Sequence, residues 1–444
     1  MESDLKSCLE NLRAFVSEKK LDAYVIGGTI RDHLLGIQSA DHDFTARQAA
    51  KIAREFASQN KLTAVPLDDT PGRETVRVVF QKQIYFDFTE MQGKDIHEDL
   101  LRRDFSINAM ALPLRDFPAE LHKVIDPANG RADLKTRTIR MVCAQALSDD
   151  PLRMLRAFRF ASHLGFSIEP QTLDEISRQK QRISAVAAER TLYELLLFLN
   201  ADAISPLLES MDACGLLESI LPETAEQRHI ALWEDTLHSF AKLDDLILNA
   251  GEILPAGDRK HTSAFKQPLI RLAMLLQWVD RESEKSGPAR QYGLPETAAT
   301  LQRLRMSNAD REFVLRALKY QKEALQSKLS FAADPIDASL LYRFTRDAGE
   351  ELLAALFLTC ATDRNLLPRA RKTADFYCHR YLQAIKQEGF LNGNDLIHLY
   401  NLSPGPLIRV ILDRVEEARV LGTISTRKEA EQLAAEIIQQ GNTP

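Results

Sequence analysis

The sequence predicts an α+β head at the N-terminus followed by an all-α remainder. Through roughly the first 145 residues, short β-branched and aromatic runs alternate with stretches of helical apolar period. From Ser148 onward the helical period alone persists. Length adds a third observation: 444 residues are more than one core can serve, so several domains are expected.

Taken in order, "MESDLKSCLENLRAF" reads as an amphipathic helix over about 4–19. An apolar strand, "DAYVIGG", ends in two glycines, and "DHDFTA" is a second strand. A helix over about 47–59 leads to three more strand-like runs, "LTAVPLD", "ETVRVVF" and "IYFDFTE". The stretch "DDPLRMLRAFRFASHL" places apolar residues at helical spacing, with Pro151 just inside its start and Gly165 as its C-cap. Pro170, Pro222, Pro255 and Pro288 punctuate the helical remainder. "SEKSGPARQYGLPET", near 283–297, reads as an exposed connection, and no repeat of fixed period is present.

Composition narrows the class. With 45% hydrophobic and 27% charged residues, the chain has the make-up of a soluble globular protein. Five scattered cysteines without a CxxC pair argue against a disulfide framework or zinc site and fit a reducing, cytoplasmic setting. No signal peptide is read at the N-terminus, and no apolar run reaches the roughly 18 residues of a membrane span. A net charge of −6 excludes a general polyanion binder, so nucleic acid would need a local basic surface.

The densest chemistry lies in "YVIGGTIRDHLLGIQSADHDFTA". Strand residues i and i+2 face the same side about 6.6–7 Å apart, so Asp41 and Asp43 point together and His42 points away. Two such carboxylates repel unless cations sit between them. Magnesium (Mg2+) is suited to this because it takes one or two carboxylates plus substrate phosphates. Two such ions can activate an attacking hydroxyl and stabilise departing pyrophosphate. Asp87, in the alternation "IYFDFTE", is the candidate third carboxylate. Gly27 and Gly28 allow a phosphate to approach the backbone at a helix N-terminus, with Arg31 in that helix's first turn within reach. The competing reading is a tight turn with an Arg31–Asp32 ion pair and a surface DxD. Neither a Walker loop nor a dinucleotide fingerprint is present.

In "EDLLRRDFSINAMAL", Asp104 and Asn108 are one helical turn apart, placed to hold a ribose hydroxyl, with Arg103 on phosphate. A helix cap with local ion pairs is the alternative there. In "SDDPLRMLRAFRFASHLGF", Arg153, Arg156 and Arg159 recur every three residues, and buried arginines need anionic partners, which a triphosphate would supply. Cytosine and adenine both present an amino donor beside an unprotonated ring nitrogen. A carboxylate (Asp150) and a guanidinium (Arg153) would therefore admit C and A and reject U and G, at ~1–3 kcal/mol per well-made pair.

These stretches, with "DPANGRADLKTRTIR" and "ERTLYELL", come in an order and spacing over about 25–200 that resembles the class II tRNA nucleotidyltransferase and bacterial poly(A) polymerase superfamily. "LNGNDLIHLYNLSPGPLIRVIL" is similar to that family's tRNA-engaging tail. The resemblance implies a polymerase-β-like nucleotidyltransferase head (1–145), a helical neck reading the base (146–200), a helical body (201–345) and a tail (346–444). It implies that Asp41 and Asp43 hold magnesium and that Gly28 and Arg31 contact triphosphate. Arg103, Asp104 and Asn108 would hold phosphate and sugar, Asp150 and Arg153 would read the base, and Arg156 and Arg159 would support it. The expected partners are a tRNA 3′ end with CTP, ATP or both, and neither DNA nor membrane.

Departures from the family pattern are Asp149 where a Glu is usual, a Leu in "ELLLFL" where a Lys is common, and Arg409 where a Gly is usual. "EMQGKDIHE" is shorter than the flexible loop of many full CCA-adding enzymes, and loss of that loop in this family accompanies addition of CC alone. Asp235 and Gln277-Trp278 stand where some relatives carry the His and His-Asp of a phosphohydrolase domain, so a helical remnant without metal is expected. The run "RNLLPRARKTADFYCHRYLQAIKQE" carries six Lys/Arg against two Asp/Glu with interleaved aromatics. It suits an RNA grip through Arg369, Arg371, Lys372 and Arg380, or a solvated helix face. Two other functions stay open: a poly(A) polymerase with the same head, and an RNA-binding protein that keeps the fold without chemistry.

Overall fold

Period-two alternation in the head builds a six-stranded sheet in this computed structural model, which describes residues 2–38, 41–80, 84–229, 232–255, 266–280, 293–327 and 337–441. Most of the expected connection at 283–297 lies outside the described residues. The chain forms two units, Met1–Phe198 with Leu207–Ile220, and Leu199–Pro206 with Leu221–Pro444.

In the first unit, α1 (Glu2–Glu18) precedes β1 (Ala23–Ile26), and the paired glycines open α2 (Gly27–Leu35). β2 (Asp41–Ala46) leads through α3 (Ala49–Gln59) to β3 (Thr63–Asp68), β4 (Thr75–Val79) and β5 (Tyr85–Glu90). After the short α4 (Ile96–Leu101) comes the edge strand β6 (Ala111–Pro113). The sheet order is β3-β4-β5-β2-β1-β6. Only β2 and β5 run parallel, because the crossover containing α3 separates them. One face is a dry aromatic layer: Phe44, Phe86 and Phe88 are fully buried, and Phe44 stacks on Phe88 with centroids 5.1 Å apart. Phe15 of α1 and Phe56 of α3 cover that face in an edge contact at 5.4 Å. Asp41, Asp43, Arg77 and Asp87 are thereby left on the other face.

The helical part begins with α5 (Gly130–Thr136), α6 (Ala144–Asp149) and α7 (Leu152–Leu164), then α8 (Pro170–Gln179) and α9 (Ala188–Leu199). Gly165 caps α7 in the left-handed region, φ 66°, as expected. Asp104 and Asn108, expected on one helix face, instead lie before and at the end of a single 3-10 turn, Ser106–Asn108, because α4 has already ended at Leu101.

In the second unit the helix Leu352–Thr362 is buried on nearly every side, as an apolar helix must be. The same unit buries a charge: Arg271 is fully buried, 2.6 Å from Asp244 Oδ1, and donates to the carbonyls of Leu199 (2.6 Å) and Ala201 (2.7 Å). Asp244 Oδ2 accepts from the N–H (2.9 Å) and hydroxyl (2.7 Å) of Ser205, so the segment 199–205 is clamped by one ion pair. Gln277 accepts from Gln321 Nε2 (3.0 Å) and Thr362 Oγ1 (3.1 Å). The tail helices Gly393–Tyr400, Pro406–Leu421 and Arg427–Gly441 share a small core of Leu396, Ile411, Val415, Ala430 and Ala434. Among the described residues, no helix is long and apolar enough to cross a membrane.

Removing one member of a buried ion pair leaves the other charge uncompensated. Arg271→Ala should therefore lower the unfolding free energy of the second unit by about 3–5 kcal/mol. Both tryptophans, Trp233 and Trp278, lie in that unit, so urea unfolding followed by their fluorescence reads the loss.

Candidate active site

The polar face of the sheet carries a charge row that its pairing dictates. β2 and β5 place Asp43 opposite Asp87, and β5 and β4 place Asp87 opposite Arg77. Asp41 and Asp43 share this face, Asp41 with its side chain 59% exposed and Asp43 recessed. His42 turns into the aromatic layer against Phe86, 5.7 Å between ring centroids.

The strand is pinned to the glycine turn by the Asp43 N–H, which donates to Thr29 Oγ1 at 2.7 Å. Gly27 has φ +60°, where a side chain is strained, and a Cβ there would come within 3.2 Å of Arg103 Nη1. A Cβ on Gly28 would meet Asp43 Oδ2 at 3.4 Å and Arg31 Nη2 at 3.5 Å. Backbone, carboxylate and two guanidinium groups therefore converge at this turn. Burial pushes the Asp43 carboxyl up to about 6; Arg103 opposes the shift, and Asp87 and Asp41 add to it. Among the described residues, the Asp43 oxygens accept no hydrogen bond. A recessed carboxylate flanked by two like charges is the donor set a hard dication suits.

Asp87 does not complete that set as expected. Arg77 engages both its oxygens, Nε to Oδ1 and Nη2 to Oδ2, each at 2.8 Å. No group of three or more His, Cys, Asp or Glu among the described residues is arranged to hold a metal. The candidate ligands are thus Asp41 and Asp43 alone. Arg77 was not foreseen, and its signal was its place in the alternation "ETVRVVF", on the same face as its neighbour's carboxylate.

A second set of side chains runs from the glycine turn into α7. Arg31 Nη1 donates to Asn108 Oδ1 (2.7 Å), Asn108 Nδ2 donates to Asp104 Oδ1 (3.1 Å), and Arg156 Nη2 donates to Asp104 Oδ2 (2.7 Å). Arg156 Nη1 lies 3.4 Å from Glu194 Oε1, and Arg159 Nε lies 2.5 Å from Glu194 Oε2. Three guanidiniums, those of Arg31, Arg156 and Arg159, stand 5.3, 5.1 and 4.2 Å from the Phe160 ring centroid. Arg31 also makes the anticipated pair with Asp32, at 2.7 Å. The anionic partners expected for Arg156 and Arg159 are protein carboxylates, Asp104 and Glu194, so no triphosphate is needed to satisfy them. Glu194 belongs to the motif "ERTLYELL", and its signal was a lone acid on an apolar helix face.

At the head of α7, Asp150 accepts from the Leu152 N–H (3.2 Å) and from Arg190 (3.2 Å). Arg153 Nη1 donates to the carbonyls of Arg102 (2.9 Å) and Ala146 (3.1 Å). Arg103 is held by Asp99 at 3.1 Å. The two candidate base readers are thus each fixed from behind, by backbone or by a third residue.

In the second unit, Arg371 and Lys372 are exposed on the helix Leu367–Phe376, and Arg369 is half-buried. Arg380 is spent elsewhere. It donates to the carbonyls of Val420 (2.6 Å) and Leu421, capping the helix Pro406–Leu421 where the dipole favours a cation. Tyr377 is buried and stacks on Tyr381, 5.9 Å between centroids, so it is unavailable to a base.

Sequence profiles of known domains fit this layout. A poly(A) polymerase head domain matches residues 23–140, a "Probable RNA and SrmB- binding site of polymerase A" matches 165–228, and a tRNA nucleotidyltransferase domain 2 matches 293–433. The CC-adding tRNA nucleotidyltransferase of Geobacter sulfurreducens is 30% identical over 436 residues, covering 95% of this chain and 93% of that one. The A-adding tRNA nucleotidyltransferase of Deinococcus radiodurans is 29% identical over 438 residues, covering 92% and 94%. The chain belongs to the tRNA nucleotidyltransferase and poly(A) polymerase superfamily. Its fold matches that of the Thermotoga maritima CCA-adding enzyme complexed with tRNA, with a TM-score of 0.72 at 22% identity over 98% of this chain and 95% of that one.

Burial alone would raise the Asp104 carboxyl, but Arg156 beside it brings it from 3.8 down to about 2. A carboxyl depressed on folding stabilises above its unfolded value and loses that contribution as the pH falls through its folded one. The stability advantage of wild type over Asp104→Asn should therefore be constant above about pH 5 and shrink by about 2 kcal/mol towards pH 2. Chemical unfolding of both proteins across that range measures it.

Proposed function

We propose that this chain transfers C, A or both from CTP or ATP to the 3′ end of tRNA without a nucleic-acid template. The observation that carries this reading is the recessed Asp43 beside Asp41, facing the Gly27–Gly28 turn with Arg31 and Arg103. Residues 1–145 form the catalytic head in this reading, 146–200 the base-reading neck, 201–345 the body and 346–444 the tail.

Asp41 and Asp43 would hold the divalent cation. Mg2+ is the proposed ion, since two carboxylates plus substrate phosphates suit it. When bound, it supplies charge neutralisation at the α-phosphate and favours ionisation of the RNA 3′-hydroxyl. Everything else is the work of the chain. The side-chain-free turn at Gly27 and Gly28 admits the triphosphate against backbone, and Arg31 and Arg103 meet its negative charge. Asp104 and Asn108 act as positioning residues that lock Arg31 and Arg156. Arg153 and Asp150, braced from behind, present a donor and an acceptor to the base edge, and so admit C and A. Arg369, Arg371 and Lys372 are the proposed RNA contacts on the tail.

Partial addition is favoured by two features. Relatives matching over nearly the whole chain are named for CC or for A alone. The segment "EMQGKDIHE" is also tied down: Glu90 caps α3 through the N–H groups of Gln48 (2.9 Å) and Ala49 (2.8 Å), and Asp95 caps α4. That leaves no long loop there to reset the pocket between additions.

Purified protein with Mg2+ and tRNA ending at the discriminator base, at C or at CC, offered each nucleotide separately, decides the matter. One or two additions to a single class of end are expected; runaway A addition to any RNA would instead show a poly(A) polymerase. Asp43→Asn should lower incorporation on the order of a thousandfold while tRNA binding, read by filter retention, stays near wild type. Arg153→Ala should relax the preference for C and A over U and G more than it weakens triphosphate binding, as competition between labelled nucleotides would report.

A further inference from the structure

The mechanism above leaves Arg77 and Asp87 of the polar face unused. Arg77 lies in register with Asp87, which lies in register with Asp43, so three adjacent strands present the row Arg, Asp, Asp. The Arg77 guanidinium is fixed on three sides. Its fork takes both Asp87 oxygens at 2.8 Å, its Nη2 stands 4.0 Å from Asp41 Oδ1, and the Tyr85 ring lies beneath it at 4.8 Å. Tyr85 is itself the register partner of Asp41. Asp87 is only 14% exposed, so turning it away from Arg77 would leave a recessed carboxylate without its bidentate partner.

We infer that Arg77 is a resident counter-cation that withholds Asp87 from the metal site and so keeps divalent binding weak until nucleotide arrives. This rests on the assignment of Asp41 and Asp43 as ligands. A third carboxylate would favour a cation trapped in the free protein. A guanidinium in its place repels a dication and occupies the oxygens that would coordinate it. With two protein carboxylates and a nearby positive charge, the ion binds well only when phosphate oxygens supply the missing negative charge. Metal and triphosphate are thereby made to enter together. Arg77 is a positioning residue in this scheme, acting through Asp87 and Asp41.

The test is Mn2+ binding to the full-length, nucleotide-free protein, read from the electron paramagnetic resonance of free Mn2+. Arg77→Gln should bind Mn2+ more tightly than wild type by about tenfold, the order expected for removing one unit charge and freeing one carboxylate. Adding Asp87→Asn to that variant should return most of the gain. Unchanged or weaker binding in Arg77→Gln would overturn the inference, as would a gain that survives in the double variant. Should Arg77→Gln fail to fold, Arg77→Lys keeps the charge but not the fork and should give a smaller gain; no gain counts against the inference equally. Asp43→Asn separates the two levels. If it binds Mn2+ like wild type, the ligand assignment itself fails; if it abolishes binding while Arg77→Gln changes nothing, only the role of Arg77 does.

Discussion

A carboxylate recessed beside two others is the constraint from which the rest of the head follows. Asp43 sits where burial and like charge both oppose ionisation, and its carboxyl rises to about 6. Such a group costs stability unless positive charge comes near it. The surroundings answer this in graded fashion. Arg103 and Arg31 approach from the glycine turn, Arg77 neutralises the neighbouring Asp87, and the remaining deficit suits a dication. The paired glycines belong to the same solution, because a side chain on either would press on Asp43 or on the arginines that face it.

From that turn, order is passed into the helical part by a continuous run of polar contacts: Arg31, Asn108, Asp104, Arg156, Glu194 and Arg159. Asp104 and Glu194 are both deeply buried, so Arg156 and Arg159 are held at short range by carboxylates shielded from water. Phe160 lies within cation–π range of three of the guanidiniums, and Arg156 and Arg159 share Glu194. A rigid link of this kind is what a protein selector of bases requires. Discrimination by hydrogen bonding works only if unmet partners cannot relax.

Much of this was legible in the sequence because it is local. The i, i+2 spacing put Asp41 and Asp43 on one face, the two glycines marked the turn, and Pro151 and Gly165 bounded α7. What escaped was long-range pairing. The need of Arg156 and Arg159 for anions was visible, but the supplier Glu194 is 35 or more residues away on another helix. Asp87 was placed on the right face, whereas its capture by Arg77 depends on cross-strand register, which no spacing rule sets. Arg380 looked like a cation offered to RNA; it is instead directed at the end of a helix that begins 26 residues later in the chain. Charge content shows that partners must exist, and tertiary structure decides which.

The aromatic layer explains why the charge row can be held so accurately. Side chains alternate between faces, so a slip of one residue in any of β2, β4 or β5 would turn Phe44, Phe86, Phe88, Val76 or Val78 into the polar face and bury charge in their place. The hydrophobic cost of that slip is carried by several fully buried side chains at once, each worth about 1.5–3 kcal/mol. Repulsion between Asp43 and Asp87 opposes this register. The apolar face overrules it, and like charges stay adjacent because phenylalanines behind them have nowhere else to go. The crowding of carboxylates on the polar face is in that sense produced by packing on the opposite side of the sheet.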